Sequence, residues 1–328
     1  MGPERIPKGE AAQILRLTRT NLQTLWRRDG VVKRGQHAKH HGLLHGRFRV
    51  RTDLPSSLAQ GVFQPGADHP CLVRLSNGGQ QDDRARDVRG MAIKLLDIPG
   101  MKLQPGQGHV REQDFVLVDH PVYFCKDMQD YMPFNRHFLP VQALRSKGAS
   151  PLRLLRAVRG LVMLGLFQRR ILRAARGFAG RRAGSLLALT YHSTTPYRLG
   201  ELVVKYKAVG QGASAEPAQT PDGLGTRLWQ AMGEGEARFT FGVVVQDDPA
   251  RQPVEDARVD WEAAGADFVP LAEIVLPRQE NSADRNAGAE AMRFSPWMSL
   301  PAHRPLGAIN RARREVYRVM AEARGPRA

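Results

Sequence analysis

Seven short segments, rich in β-branched and aromatic residues and bounded by glycine, proline or aspartate, constrain the fold of this chain more than any other feature. Runs of this kind are typical of β-strands. The long spacers between them are not those of simple hairpins, which predicts a closed or folded-over sheet with inserted loops. The segments are residues 46–51, 70–76, 90–96, 114–124, 200–207, 237–246 and 271–276.

Helical periodicity marks the two ends of the chain. Apolar residues recur at helical spacing through residues 9–28, which predicts a helix that ends near Asp29-Gly30. Residues 305–324 show the same spacing and predict a last helix, which Gly325-Pro326 would stop.

The net charge of +17 is concentrated in one part of the sequence. From Tyr131 to Gly200 there are 13 Lys or Arg residues and no Asp or Glu. Within that stretch, residues 151–188 mix leucines with arginines and predict one or two basic amphipathic helices. Two interpretations stay open. One is a helical insertion packed on the sheet with a solvated arginine face, and the other is an interfacial helix over residues 151–176 that lies on an anionic membrane.

Composition also bounds the compartment and the partners. No apolar run is long enough for a signal peptide or a membrane span. Cys71 and Cys125 are too few for a disulfide framework and match no zinc spacing. These features predict a cytoplasmic protein with buried, reduced thiols, and peripheral contact with a membrane as an alternative. A basic patch attracts any polyanion, but nucleic acid is not the expected partner.

Three clusters of polar residues could carry chemistry. Four histidines fall within nine residues, from His37 to His45, and a transition-metal site is one interpretation of them. Arg74 and the arginine of the Asp-Val-Arg-Gly run lie at strand edges and need negative partners, either Asp or Glu within the fold or a ligand with carboxylates. Arg313 and Tyr317 are four residues apart on a predicted helix, so an arginine there favours the phenolate, a hard ligand that suits ferric iron.

Six motifs, taken in order, resemble the catalase family, and especially its short, divergent catalase-like branch. The resemblance covers residues 30–135 and 237–324 and is weak across 140–235. The motifs are Arg-x-x-His-Ala-Lys from Arg34, Val-Arg-Leu-Ser from Val73, Asp-Val-Arg-Gly-Met-Ala-Ile-Lys from Asp87, Gln-Asp-Phe-Val-Leu-Val-Asp-His-Pro-Val-Tyr-Phe from Gln113, Arg-Phe-Ser-Pro from Arg293 and Asn-x-x-Arg-x-x-x-Tyr from Asn310.

The resemblance implies an α+β fold around an antiparallel β-barrel, with helices outside it and one haem b between the barrel and the final helix. The catalase-like domain would cover residues 31–324, after a helical N-terminal arm over residues 1–30. A basic helical insertion would interrupt it at about residues 140–190. On the family's pattern, Tyr317 is the proximal iron ligand and Arg313 is bonded to its oxygen.

The opposite face of the haem has its own residues in the family. His37 matches the histidine that handles the peroxide proton, and Ser76 matches the serine that fixes the tautomer of that histidine. The remaining matches are the propionate-binding arginines, Arg34 and Arg74, and the aromatic residues that line the distal side, Tyr123 and Phe124.

The sequence departs from the family at two points. Val118 stands where the family has its peroxide-orienting asparagine, and the neighbouring Asp119 would point the other way on a strand. The chain also has no room for the helical C-terminal region of ordinary catalases, which puts their tetramer and their long channel in doubt and leaves a homo-oligomer as an expectation only. A less polar distal pocket with a shorter channel would weaken hydrogen peroxide dismutation and admit larger substrates.

Three functions are therefore carried forward. The first is a haem-dependent enzyme with catalase or peroxidase activity on hydrogen peroxide. The second is a haem-dependent isomerase or lyase of organic or fatty-acid hydroperoxides, which Val118 and the basic stretch favour. The third is a non-catalytic haem-binding protein, or a basic nucleic-acid binder that has kept the barrel.

Overall fold

The computed structural model describes residues 4, 6–22, 27–28, 31–32, 34, 36–104, 106–147, 150–178 and 180–323. Its helices are α1 (Glu10–Asn21), α2 (Met128–Lys147), α3 (Pro151–Phe167), α4 (Arg169–Phe178), α5 (Gly223–Glu234), α6 (Ala283–Ala291) and α7 (Gly307–Ala323). Its strands are β1 (Arg27–Arg28), β2 (Val31–Val32), β3 (His40–Val50), β4 (Asp68–Asn77), β5 (Arg89–Leu96), β6 (Glu112–Val118), β7 (Thr190–His192), β8 (Tyr197–Leu199), β9 (Leu202–Gly210), β10 (Ala237–Val245) and β11 (Phe268–Leu276).

Eight of the strands form a closed antiparallel barrel. Their order around it is β3-β4-β5-β6-β7-β9-β10-β11, and β11 pairs with β3 to close the ring. Strand β8 is outside the ring and pairs with β9, while β1 and β2 form a separate small ribbon. The predicted α+β fold with an antiparallel barrel and surrounding helices is confirmed.

The interior of the barrel is filled by side chains. Phe48, Phe63, Phe115, Tyr206 and Phe241 are buried there, and their ring centroids lie 4.8–6.3 Å apart wherever two of them are in contact. Since successive residues of a strand face opposite sides of a sheet, the polar residues between the core positions point out of the barrel. The packed interior leaves the outside of the barrel wall for a ligand.

Three sequence predictions need correction. The first helix ends at Asn21, not near Asp29-Gly30, because Arg27–Arg28 pairs with Val31–Val32 in an antiparallel ribbon; Asp29 and Gly30 themselves lie outside the described residues. The strand predicted over 114–124 ends at Val118, close to Pro121, whose nitrogen cannot donate to a sheet. Strands β7 and β8 were missed because three residues are too few to form a recognisable run of β-branched and aromatic residues.

The basic stretch contains helices α2, α3 and α4, which lie between Met128 and Phe178, whereas one or two helices were predicted over residues 151–188. Helix α3 packs on α2 through Ala157, Gly160 and Leu164, and a Cβ on Gly160 would lie 2.2 Å from the carbonyl oxygen of His137. This close approach of the two helix backbones requires a glycine. Helix α4 buries none of its residues. Among the described residues, no helix has the length and apolar content that a membrane span requires.

The last helix lies against the first. Ile14 of α1 packs with Ile309 and Ala312 of α7. Beside them, Arg311 of α7 forms ion pairs of 2.8–2.9 Å with three carboxylates. These belong to Glu4, Glu10 and Glu255. The stop predicted at Gly325-Pro326 lies outside the described residues.

Candidate functional site

Three neighbouring strands place a short row of residues on the outer face of the barrel wall. Gly90 of β5 lies between Ser76 of β4 and Val118 of β6, as the pairing register gives directly. The residues beside Ser76 and Val118 in their strands, Leu75 and Leu117, are buried in the core. The side chains of Ser76 and Val118 therefore point away from the core on the same side of the sheet.

The imidazole of His37 lies over this row. Its Nδ1 is 3.1 Å from the hydroxyl oxygen of Ser76. A Cβ on Gly90 would lie 2.4 Å from the same Nδ1 and 2.9 Å from Ser76 Oγ, so only glycine leaves room for the ring. The sequence motif contained Gly90, but the reason for a glycine there becomes visible only in the register of the three strands.

The backbone of His37 is held in an uncommon conformation. Its φ is 56°, in the left-handed region that non-glycine residues rarely adopt. The amide of His37 donates to the carbonyl of Gly78 at 2.7 Å, and Arg74 Nη2 donates to the carbonyl of His37 at 2.9 Å. Backbone strain that is fixed from both sides is typical of a functional position.

The electrostatic surroundings keep His37 neutral. Burial and the cations of Arg74, Arg313 and Arg34 lower the pKa of its imidazole to about 4. A neutral ring at physiological pH has a lone pair with which to accept a proton. If Nδ1–H donates to Ser76, the free lone pair is on Nε2.

Arg34 and Arg74 converge on one carboxylate of α6. Glu290 lies 3.9 Å from Arg34 Nε and 3.8 Å from Arg74 Nη2, and 3.1 Å from the Nε2 atom of His40. The Nε atom of Arg34 is buried without a hydrogen-bond partner in the described part of the chain. The other end of the guanidinium is satisfied, since Nη2 donates to the carbonyls of Ala289 (3.0 Å), Glu290 (3.2 Å) and Met292.

Helix α7 contributes the second half of the site. The Arg313 guanidinium carbon is 5.6 Å from the ring centroid of Tyr317, and the guanidinium also bonds to Thr195 (3.4 Å) and Asn310 (3.2 Å). Burial alone lowers the pKa of Arg313, but the phenols of Tyr317 and Tyr197 outweigh it and raise that pKa above its usual range. Tyr317 thus has a permanent cation beside its oxygen, as the four-residue spacing predicted.

The two halves act on each other. The cation of Arg313 on α7 is among the groups, after burial and Arg74, that lower the pKa of His37. For Arg34, burial lowers the pKa, while Glu290 and then Tyr317 oppose that shift. Such effects require proximity, so Arg313 lies near His37 and Tyr317 lies near Arg34.

Tyr123 and Phe124 follow β6 and form an aromatic wall. Their ring centroids are 4.5 Å apart, and both contact Phe178 at the end of α4, at 5.7 and 5.6 Å. Burial, above all, raises the pKa of the Tyr123 phenol well above its usual range, although Arg313 opposes the shift. Tyr123 is therefore neutral and offers an apolar face with one hydroxyl.

A buried polar network supports β4 and β5 next to this row. Arg89 donates to the side-chain oxygen of Asn77, which also lies 2.8 Å from His41 Nε2. The carboxylate of Asp83 accepts from Asn77 (2.9 Å) and Lys39 (2.8 Å). Both strand-edge arginines have partners within the fold: the Nη atoms of Arg89 donate to Asn77, Asp83 and Ala85, and Arg74 lies near the carboxylate of Glu290 and donates to the carbonyl of His37.

The four clustered histidines point in different directions. His37 bonds to Ser76, His41 bonds to Asn77 and His40 pairs with Glu290. In the described part of the chain, no three His, Cys, Asp or Glu side chains converge as a metal site would require. Cys71 and Cys125 are both buried and unpaired with each other.

Several positioning residues were absent from the sequence prediction. Glu290 gave no signal, because nothing in the sequence relates α6 to Arg34. Thr195 lies beside the missed strand β8, and its bond to the carboxamide oxygen of Asn310 (3.0 Å) helps to fix Arg313. Asn310 was the first residue of a recognised motif, and the structure shows that its carboxamide oxygen accepts hydrogen bonds from both Thr195 and Arg313.

The sequence and the fold of the chain are similar to those of known catalases. Residues 15–144 match a sequence model of the catalase family. Two solved structures each superpose on 90% of the chain: a fungal catalase, with 19% identity and a TM-score of 0.71, and catalase A from Saccharomyces cerevisiae, with 20% identity and a TM-score of 0.70. The chain spans 60% and 62% of their respective lengths. At this identity the likeness establishes the fold. No curated protein sequence matches the chain.

Proposed function

Because the sequence match over residues 15–144 and the fold together support membership of the catalase family, we propose that this chain is a haem-dependent enzyme that processes hydrogen peroxide by catalase or peroxidase chemistry. The observation that carries the proposal is the pairing of two sets of residues across one region. A neutral His37 sits on Ser76 over Gly90, and Arg313 of α7, which is paired with Tyr317, lies close enough to lower the pKa of His37.

The residues present fit a haem group. A phenol oxygen is a hard ligand of the kind that ferric iron accepts, and Tyr317, with Arg313 beside it, is the iron ligand in this proposal. The Nε of Arg34, which has no hydrogen-bond partner among the described residues, and the cation of Arg74 suit propionate carboxylates, which bind arginine strongly. Tyr123 and Phe124 would provide the apolar wall of the site.

In the reaction, the protein's part is to bind and move protons. Haem, when bound, supplies the electron chemistry of its iron. His37 accepts the proton of a peroxide at Nε2 and returns it to the other oxygen as the O–O bond breaks, which is general acid–base work. Ser76 holds the ring in one tautomer, and Arg74 fixes the His37 backbone through its carbonyl.

Haem-loaded protein tests the proposal. We expect a Soret band and oxygen release from hydrogen peroxide. Tyr317→Phe should lose most of the band, since the iron loses its anionic ligand, and His37→Ala should keep the band and lose about 100-fold or more in rate, in line with a removed general acid–base group. Tyr191→Phe is the matched control, because it removes a buried hydroxyl that donates to the Leu186 carbonyl in the core. A haem-loaded protein whose Tyr317→Phe spectrum and rate equal those of the parent would overturn the assignment.

A second candidate function keeps the haem and changes the substrate. Val118 supplies no hydrogen-bond donor next to His37, so the pocket favours an organic or fatty-acid hydroperoxide and its isomerisation or cleavage. Product analysis with hydrogen peroxide and a fatty-acid hydroperoxide, side by side, separates the two functions: oxygen release selects the first, and ketone or aldehyde products without oxygen select the second. Val118→Asn should shift the preference toward hydrogen peroxide. Turnover of neither substrate by haem-loaded protein would leave a non-catalytic haem-binding role.

A further inference from the structure

Helix α3 exposes an apolar surface that no other described element shares. Ten large hydrophobic side chains are exposed in the described chain, and eight of them are on α3, with exposed fractions from 49% to 71%. They are Leu152, Leu154, Leu155, Val158, Leu161, Val162, Leu166 and Phe167. Contiguous exposed apolar surface of this kind marks an interaction site.

The orientation of α3 follows from its packing. The helix buries Ala157, Gly160 and Leu164 against α2. Leu155, Val162 and Leu166 are spaced seven and four residues apart and so share another face, which points outward. Small residues bring α3 close to α2, and the large apolar residues are kept on the outside.

The charge around this face is of one sign. Arg156 and Arg159 are exposed on α3 itself, and α4, which buries none of its residues, adds Arg169, Arg170, Arg173 and Arg176. No Asp or Glu occurs between Tyr131 and Gly200 to neutralise them. Apolar side chains flanked by arginines are the combination that lies in the interface of an anionic bilayer.

We propose that α3 and α4 form a docking surface for the anionic lipid headgroups and outer acyl region of a membrane, with the protein bound peripherally. Two other occupants fit less well. A symmetric contact between two copies would bring the same patch against itself, with its arginines facing each other and no acidic residue of 131–200 between them. A nucleic acid would engage the arginines but leave the eight apolar side chains in water.

The docking surface is connected to the candidate site. Phe178, the last residue of α4, contacts both Tyr123 and Phe124 of the aromatic wall. A membrane that holds α3 and α4 therefore lies next to the aromatic wall of the candidate site.

Vesicle co-sedimentation tests the docking surface. The probes are vesicles of phosphatidylcholine and phosphatidylglycerol in equal parts, and vesicles of phosphatidylcholine alone. We expect binding to the mixed vesicles that weakens with salt, and little binding to the neutral ones. Leu155→Ser with Leu166→Ser, and separately Arg156→Gln with Arg159→Gln, should each lower the affinity about tenfold or more, because each removes one of the two contributions to interfacial binding.

Matched controls come from elsewhere on the surface. Met101→Ser changes an exposed apolar residue, and Arg251→Gln an exposed cation; both should bind like the parent. Circular dichroism should show that all variants stay folded. Equal binding to both vesicle types, or no binding to either, would overturn the proposal. So would tighter binding to DNA than to lipid, or a dimer of the parent protein that the variant with Leu155→Ser and Leu166→Ser no longer forms. Peroxide turnover without vesicles should not change in these variants, so the docking surface and the proposed function fail independently.

Discussion

At the scale of single residues, the site depends on a missing atom. The His37 ring occupies the volume that a side chain at residue 90 would need, and its Nδ1 reaches Ser76 only because Gly90 lacks a Cβ. The backbone of His37 cannot move away freely, since its amide and its carbonyl are both hydrogen-bonded. The position of the imidazole is thus set by four residues, Gly90, Ser76, Gly78 and Arg74.

Gly90→Ala should therefore displace the imidazole without disturbing the proximal side. The new Cβ would lie 2.4 Å from Nδ1, so the ring must shift and lose its bond to Ser76. We expect the rate of peroxide turnover to fall about 10- to 100-fold, as for a misplaced catalytic group, while the Soret band stays unchanged. Gly79→Ala is the control, because a Cβ there meets nothing within 4 Å and the parental rate should persist. A Gly90→Ala enzyme as fast as the parent would remove the positioning role.

At the scale of elements, the sequence predicted the strands and helices that have a clear local pattern of residues. Seven strands were recognisable because they are rich in β-branched and aromatic residues and are bounded by glycine, proline or aspartate, as residues 70–76 are in β4. The three-residue strands and the end of α1 could not be recognised from the sequence. Their limits depend on the segments with which they or their neighbours pair. For the same reason Arg313 and Tyr317 could be paired from their spacing, whereas the approach of Glu290 to Arg34 could not.

The position of α7 is fixed by a charge cluster, which yields a prediction for the element that carries Tyr317. Arg311→Gln leaves Glu4, Glu10 and Glu255 without their common cation. Removing one partner of a partly buried network should lower the free energy of unfolding by about 2 kcal/mol and weaken haem retention. Arg318→Gln on the same helix removes only pairs with Glu315 and Glu322 and should cost less than about 0.5 kcal/mol. Urea unfolding of both variants checks this, and equal losses would contradict it.

At the scale of the whole molecule, burial of titratable groups links stability to pH. Burial is the first cause that lowers the pKa of seven histidines, and four of them have large shifts. The values are about 4 for His37, His41 and His192 and about 3 for His303. The unfolded chain takes up these protons near its ordinary histidine pKa of 6.5, whereas the folded chain does so only near 4. Between these values the unfolded state binds more protons, so each histidine contributes stability above about pH 6.5 that is lost as the pH falls toward 4.

Two buried carboxyls oppose this loss of stability at low pH. The difference between the protons bound by the unfolded and the folded state decides whether stability falls or rises toward acid. Burial raises the pKa of Asp114 and of Asp119 to about 6, so each takes up a proton in the folded state first and favours folding as the pH falls below 6. Four histidines against two carboxyls leave an excess of about two protons in the unfolded state, a slope of about 3 kcal/mol per pH unit. We expect haem-free protein to lose several kcal/mol between about pH 6.5 and pH 4.5, measured by urea unfolding. Asp119→Asn removes one opposing group and should steepen the loss, while a stability that is flat or rises toward acid would show that these histidines are not buried as neutral groups.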